Sequence, residues 1–266
     1  MLLNSPRILA SLTLTALLAA TGCQQGLQTA KSGEAELWLT TADKTALFQR
    51  QPKRLALAEA AAADGPTIDV TEGENYQTID GFGYCLTGGS AQLLHRMDKS
   101  ARRQLLRELF ATDGNNIGVS YLRLSIGASD LDEKVFSYDD LPAGQTDPKL
   151  ERFSLAPDRE HLIPVLKEIL AINPSIKIMG SPWTAPIWMK TNNSYKGGRL
   201  KPENYATYAQ YFVKYIRAMQ AEGIRIDAVT LQNEPLNEYN EPSMLMSAAE
   251  QADFIKNHVG PAFAAA

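Results

Sequence analysis

The sequence predicts an α/β fold in which parallel strands alternate with helices, as in the first half of a (β/α)8 TIM barrel. Three observations point there. From residue 80 onward, apolar stretches of strand length alternate with helical stretches whose apolar residues share one stripe, an order that calls for a parallel sheet with helices outside it. About four such units follow one another, half of the eight that close a barrel of roughly 250 residues. Polar and aromatic residues gather just after the strands, where such barrels build their active sites. A small open α/β sheet is the alternative, but no glycine-rich phosphate loop stands at a strand-to-helix turn. Half a barrel leaves open sheet edges, so the chain reads as the N-terminal portion of a longer one.

The first strand lies within residues 80–86, where Gly81 and Gly83 let the backbone bend or approach a neighbour closely. Ser100 can cap a helix that turns Leu105, Leu106, Leu109 and Phe110 inward. Residues 119–126 form the second strand, and a long loop runs on to about Pro157. The next helix carries Leu162, Val165, Leu166, Ile169 and Leu170, with Pro164 near its start, and residues 176–180 form the third strand. Residues 203–220 are the clearest helix, with Tyr205, Tyr208, Phe212, Tyr215, Ile216 and Met219 on one stripe. Gly223 ends it. Residues 226–232 form the fourth strand and 248–258 a last helix. Upstream, residues 36–41 suit a short strand, and the alanine-rich 56–63 is helical or irregular. Residues 67–70 and 76–79 read as two strands around the turn-like Glu72-Gly73-Glu74-Asn75.

The N-terminus reads as an export signal. Arg7 precedes an uncharged run over residues 8–20, and Ala20-Thr21-Gly22-Cys23 follows, a basic start and short apolar run before small residues. The run is short for a bilayer span. A cysteine directly after small residues resembles a bacterial lipoprotein signal, in which Cys23 carries the lipid and becomes the mature N-terminus. The alternative is a plain secretory signal with an incidental cysteine. Residues 1–22 are thus the signal and 23–35 a polar tether from a membrane.

Composition narrows the function. Apolar residues at 44% allow a buried core, and a net charge of −4 without blocks of one sign argues against a nucleic-acid partner, which needs a basic stripe. With two cysteines, and with His95, His161 and His258 far apart in sequence, neither a disulfide framework nor a metal site is expected.

Four strand ends carry the candidate chemistry. Gln232-Asn233-Glu234-Pro235 is the most informative, since Glu234 follows an apolar strand directly and precedes a proline that stops continuation. A carboxyl at a barrel mouth can be desolvated into a general acid for a leaving glycosidic oxygen, and Asn233 can donate to a sugar hydroxyl. The alternative is a polar loop after a strand. Trp183, in Ser181-Pro182-Trp183-Thr184-Ala185-Pro186, is either an aromatic plate for sugar C–H faces or a packed core residue. Trp188 is a weaker candidate of the same type. Arg123, inside an apolar strand, calls for a carboxylate partner, either a catalytic glutamate or an ordinary ion pair. Asp130 either binds a sugar hydroxyl or caps the long loop. Asn192-Asn193-Ser194 fits a glycosylation pattern that a bacterial lipoprotein would not use.

Taken in order, Gln77-Thr78-Ile79-Asp80-Gly81-Phe82-Gly83, Tyr121-Leu122-Arg123-Leu124-Ser125, the run from Ser181 through Trp188-Met189-Lys190, and Leu231-Gln232-Asn233-Glu234-Pro235 resemble glycoside hydrolase family 30. That family holds glucosylceramidases and bacterial β-1,6-glucanases. The resemblance runs from about residue 67 to the end. It implies a (β/α)8 barrel over 80–266 with a side β-sandwich whose first strands come from 36–79. It also implies Glu234 as acid/base, Asn233 at the sugar 2-hydroxyl, Trp183 as a wall of the glucose site, and Arg123 near the nucleophile. The nucleophile follows the seventh barrel strand and falls outside this chain. Glucosylceramidases of the family usually carry Thr-Asp after the first strand, the aspartate holding glucose hydroxyls. Here Thr87-Gly88-Gly89 stands instead, closer to the β-1,6-glucan enzymes.

The expected function is therefore a retaining β-glucosidic hydrolase acting on a β-glucan or other β-glucoside, without metal or organic cofactor. A non-catalytic glycan-binding lipoprotein and the product of an incomplete reading frame are the competing readings.

Overall fold

The computed structural model describes residues 33–57, 65–69 and 71–266. It divides into two units, Met1–Asn75 and Tyr76–Ala266. The signal segment, Cys23, most of the tether, most of the alanine-rich stretch and Val70 lie outside the described residues.

In the first unit, β1 (Glu34–Ala35) pairs antiparallel with β4 (Leu55–Ala56), and β2 (Trp38–Leu39) with β3 (Gln49–Arg50). The strand expected at 36–41 is thus shortened to Trp38–Leu39, with β1 lying just before it. Charge lines this hairpin: Arg54 bridges Glu34 and Glu36, each at 3.0 Å, and Arg50 also reaches Glu36, at 2.5 Å. The strands expected at 67–70 and 76–79 enter no ladder among the described residues. A strand exists only where a second backbone takes its hydrogen bonds, and Ile68 and Ile79 are exposed here.

The second unit is built on one parallel sheet, β5 (Gly83–Leu86), β6 (Tyr121–Ile126), β7 (Lys177–Pro182) and β8 (Ala228–Val229), in sequence order. Gly83 explains itself: a Cβ there would sit 1.5 Å from the Tyr121 carbonyl oxygen. The fourth strand is shorter than its apolar run. Its backbone still follows β7, with Asp227 N–H donating to Ile178 O (2.8 Å), Thr230 N–H to Gly180 O (2.9 Å) and Asn233 N–H to Pro182 O (2.7 Å). It has a neighbour on one side only among the described residues.

Helices α1 (Gly88–Arg96) and α2 (Lys99–Phe110) connect β5 to β6. The sequence reading had no helix at α1, because two glycines open it and blur its pattern. The α2 cap also differs from expectation: Asp98 Oδ1 accepts from Ser100 N–H and Ala101 N–H, so Ser100 is the second residue of the helix and not its cap. The long loop after β6 leads to α3 (Ala156–Glu160) and α4 (Leu162–Ile172). Then α5 (Tyr205–Ala221) follows β7, and α6 (Ala248–Phe254), a π-helical turn (Ile255–Val259) and α7 (Gly260–Ala264) complete the chain.

The core lies between the sheet and these helices. Leu122, Leu124 and Ile178 from the sheet meet Leu106 and Phe110 of α2, Val165, Leu166 and Ile169 of α4, and Tyr208, Phe212 and Tyr215 of α5. The buried face of α5 is wider than the stripe read from sequence, because Tyr138 from the long loop stacks on Tyr211 and Tyr215 at 6.0 and 5.8 Å. Each such side chain, fully buried, contributes about 1.5–3 kcal/mol.

Candidate active site

Four of the side chains singled out from sequence form one connected group at the C-terminal ends of the sheet. Arg123 sits mid-strand in β6. Its Nη2 donates to Ser181 Oγ (2.9 Å) and to Asn233 Oδ1 (2.6 Å), and its Nη1 points at the Cys85 sulfur at 3.7 Å. Its guanidinium carbon lies 4.6 Å from the centre of the Trp183 ring, a cation–π arrangement. On the indole edge, Trp183 Nε1 donates to Asp130 Oδ1 at 3.1 Å. The chain of contacts therefore runs Asp130, Trp183, Arg123, Asn233, with Glu234 next.

The ordinary ion pair, one of the two readings of Arg123, is absent among the described residues; neutral oxygens, a sulfur and an indole face surround it. The charge is tolerated because the side chain is only half-buried, so water still meets part of it. Burial pushes the Cys85 thiol up, partly opposed by the adjacent Arg123 charge.

The Arg123 contact also orients Asn233. A carboxamide oxygen that accepts from a guanidinium has a fixed flip, which leaves the Asn233 Nδ2 hydrogens as the free donors. That is the orientation needed to donate to a sugar hydroxyl.

The two tryptophans divide. Trp183 is 5% exposed and has Arg123 on its ring, so it packs as a support more than it stands open as a plate. Trp188 is a core residue, its Nε1 donating to the Asp139 carboxylate at 3.1 Å. Asp130 is exposed and spends an oxygen on Trp183. The loop cap that sequence assigned to it as an alternative belongs to Asp132, whose Oδ2 accepts from Ser129 N–H (2.8 Å) and Ser129 Oγ–H (2.6 Å).

Glu234 lies in the loop after β8 and is exposed. The described residues therefore do not supply the burial expected for it. Its backbone has φ 42°, a left-handed conformation costing a non-glycine residue about 1–2 kcal/mol. The following Pro235 disfavours the right-handed helical alternative. Strain of this kind concentrates at functional sites. Asn237 Nδ2 and Asn240 Nδ2 both donate to Glu234 Oε2 at 2.8 Å. Oε1 makes no hydrogen bond among the described residues, so it is the oxygen left to give or take a proton.

Sequence reasoning missed Asn237 and Asn240, and quoted Ser181 and Gln232 within the strand-end motifs without giving them a role. Gln232 Nε2 donates to Trp183 O at 2.6 Å, binding the third strand end to the fourth. Only the spacing of two asparagines at three and six residues after Glu234 hinted at the carboxylate's holders. At the first strand end, Gly89 is required by contact, since a Cβ would fall 1.9 Å from the Leu131 main-chain oxygen; at Gly88 it would meet the end of the Asp132 side chain at 1.9 Å.

Residues 79–266 match the glycosyl hydrolase family 30 TIM-barrel domain, and the chain belongs to that family. It is 40% identical over 202 residues to the endo-1,6-beta-D-glucanase of Neurospora crassa, a match covering 74% of this chain and 42% of that protein. It is 31% identical over 231 residues to the lysosomal acid glucosylceramidase of Mus musculus, covering 81% of this chain and 44% of that one. Among solved structures, the endo-beta1,6-glucanase BT3312 aligns with a TM-score of 0.74 at 40% identity, covering 88% of this chain and 50% of that chain. The chain thus spans about half the length of the relatives it matches.

Proposed function

We propose that the full-length protein is a retaining β-glucosidic hydrolase acting on β-1,6-linked glucan, with Glu234 as its acid/base. The observation that carries the reading is the connected Asp130–Trp183–Arg123–Asn233 group beside Glu234 at the strand ends of a family 30 barrel. Glu234 Oε1 protonates the leaving glycosidic oxygen while a second carboxylate, about 5–5.5 Å away in retaining enzymes, attacks the anomeric carbon. Glu234, now ionised, then takes a proton from the water that releases the sugar. The second carboxylate follows the family's seventh barrel strand, and the parallel sheet of the described residues has four strands. Asn233 Nδ2 holds the 2-hydroxyl of the bound sugar, and Arg123 holds Asn233.

Two observations favour β-1,6-glucan over glucosylceramide. The glucanase match is the stronger in identity, 40% against 31%. At position 88, where glucosylceramidases carry an aspartate, this chain has glycine, and a Cβ there would meet the Asp132 carboxylate at 1.9 Å. The lipoprotein-type signal ending at Cys23 supports a protein exported and anchored in a membrane by lipid, where it meets polymeric glycan. Upstream of the barrel, residues 36–79 supply the first strands of a side sandwich in this reading.

The test is E234Q in the full-length protein. General acid catalysis contributes about 10²–10⁴-fold, so kcat/KM on β-1,6-glucan should fall by that order. An activated aryl glucoside, whose leaving group needs no proton, should keep most of its kcat/KM. Undiminished glucan hydrolysis by E234Q would end the assignment.

A further inference from the structure

We propose that Lys190 is a positioning residue for Glu234, its buried ammonium tying the loop after β7 to the loop that carries the acid/base. The proposal deepens the hydrolase reading and rests on it. Lys190 is completely buried, which is rare for lysine unless its charge is met. Its Nζ donates to three backbone carbonyls: Ser194 O (2.7 Å), Tyr195 O (3.3 Å) and Ser243 O (2.8 Å). Two of these lie on the loop after β7 and one on the loop after β8. An ammonium has three N–H donors, and here all three are used on main chain.

Further hydrogen bonds surround this junction. Ser243 N–H donates to Tyr195 O (2.9 Å), Gly197 N–H to Ser243 Oγ (2.8 Å) and Leu245 N–H to Gly198 O (2.8 Å). Met246 N–H donates to Pro235 O at 2.8 Å, closing the second loop on itself one residue beyond Glu234. Within that closed loop are Asn237 and Asn240, whose amides hold Glu234 Oε2. Glu234 itself is exposed and has no other side-chain partner among the described residues. The place of its carboxylate is therefore set by a loop, and the loop is fastened at Ser243 by Lys190.

The fastening is electrostatic. No carboxylate among the described residues pairs with Lys190, and burial lowers its ammonium to about 7. The three carbonyl oxygens are the acceptors that meet Nζ there. Replacing the ammonium leaves the Ser194 and Ser243 carbonyls unmet, while Tyr195 O keeps the Ser243 N–H, and the two loops lose their common anchor.

K190M and K190Q in the full-length protein test this, each assayed for kcat/KM on β-1,6-glucan and on an aryl β-glucoside with a good leaving group. A misplacement of the acid by about 1 Å costs on the order of 10²-fold, and only the substrate that needs the acid registers it. The expected result is a loss of tenfold or more on glucan with less than about threefold on the aryl glucoside. K190Q, which retains two donors, should fall between K190M and wild type. If K190M does not fold, K190Q is judged by the same split. Equal losses on both substrates, or none on either, would overturn the proposal. Glucan turnover that E234Q leaves intact would instead remove the acid/base reading beneath it.

Discussion

At the scale of single residues, the site is ordered by Arg123. One guanidinium fixes the flip of Asn233, rests on Trp183 and reaches Ser181, so it joins three of the four strand ends. A hydrogen bond to a charged group is worth about 1.5–3 kcal/mol, and in R123M Asn233 would be free to turn its oxygen toward the sugar. R123M should therefore lower kcat/KM on glucan about ten- to hundredfold, from the energy of that bond, with KM rising. R123K should not restore it, since a lysine cannot donate to two acceptors in a fork. Steady-state kinetics on the three proteins check this, and an unchanged KM in R123M would contradict it. From sequence, Arg123 was legible as a charge inside an apolar strand, and Glu234 and Asn233 as polar residues ending one. The partner of Arg123 was not, because a carboxylate and a carboxamide oxygen satisfy the same donor. Lys190 escaped too, as nothing in Ile187-Trp188-Met189-Lys190 distinguishes a buried lysine from a solvated one.

At the scale of elements, helix α3 shows how a short segment gets its place from one buried acid. Asp158 is buried, and Tyr138 Oη–H donates to its Oδ2 at 2.5 Å. Burial raises Asp158 from 3.8 to about 7, with the tyrosine bond acting the other way. The sign follows directly. Between about 4 and 7 the folded protein keeps a proton on Asp158 that the unfolded chain has lost, so stability falls as pH rises through that window. Asp139, raised to about 6 mainly by burial, acts in the same direction. D158N carries no titrating proton at this place. Its melting temperature should decline less steeply than wild type from pH 4 to 7, as read by thermal melts across that range; parallel curves would contradict the assignment. Element by element, the sheet strands were legible because each is an apolar run, and α5 because its aromatic stripe is long. Helix α1 was hidden by Gly88 and Gly89, glycines placed by contact with the loop at Asp132 and Leu131. The segments around 68 and 78 are apolar enough for strands, but an apolar run cannot show whether a second backbone lies beside it.

At the scale of the molecule, the second unit is a half-barrel in strand count, four parallel strands with helices against one side. Its strand ends hold an acid/base candidate and the side chains around it, and the chain covers 42% to 50% of the glucanases it matches. The family's two-carboxylate chemistry then requires the remaining strands to bring the nucleophile to the opposite face of the sugar. The direct measurement is the anomeric form of the first product released from β-1,6-glucan by the full-length protein, followed by proton NMR before mutarotation. The account predicts the β-anomer first, as double displacement through a glycosyl-enzyme requires. Initial release of the α-anomer would mean a single inverting displacement, and the retaining role given to Glu234 would be wrong.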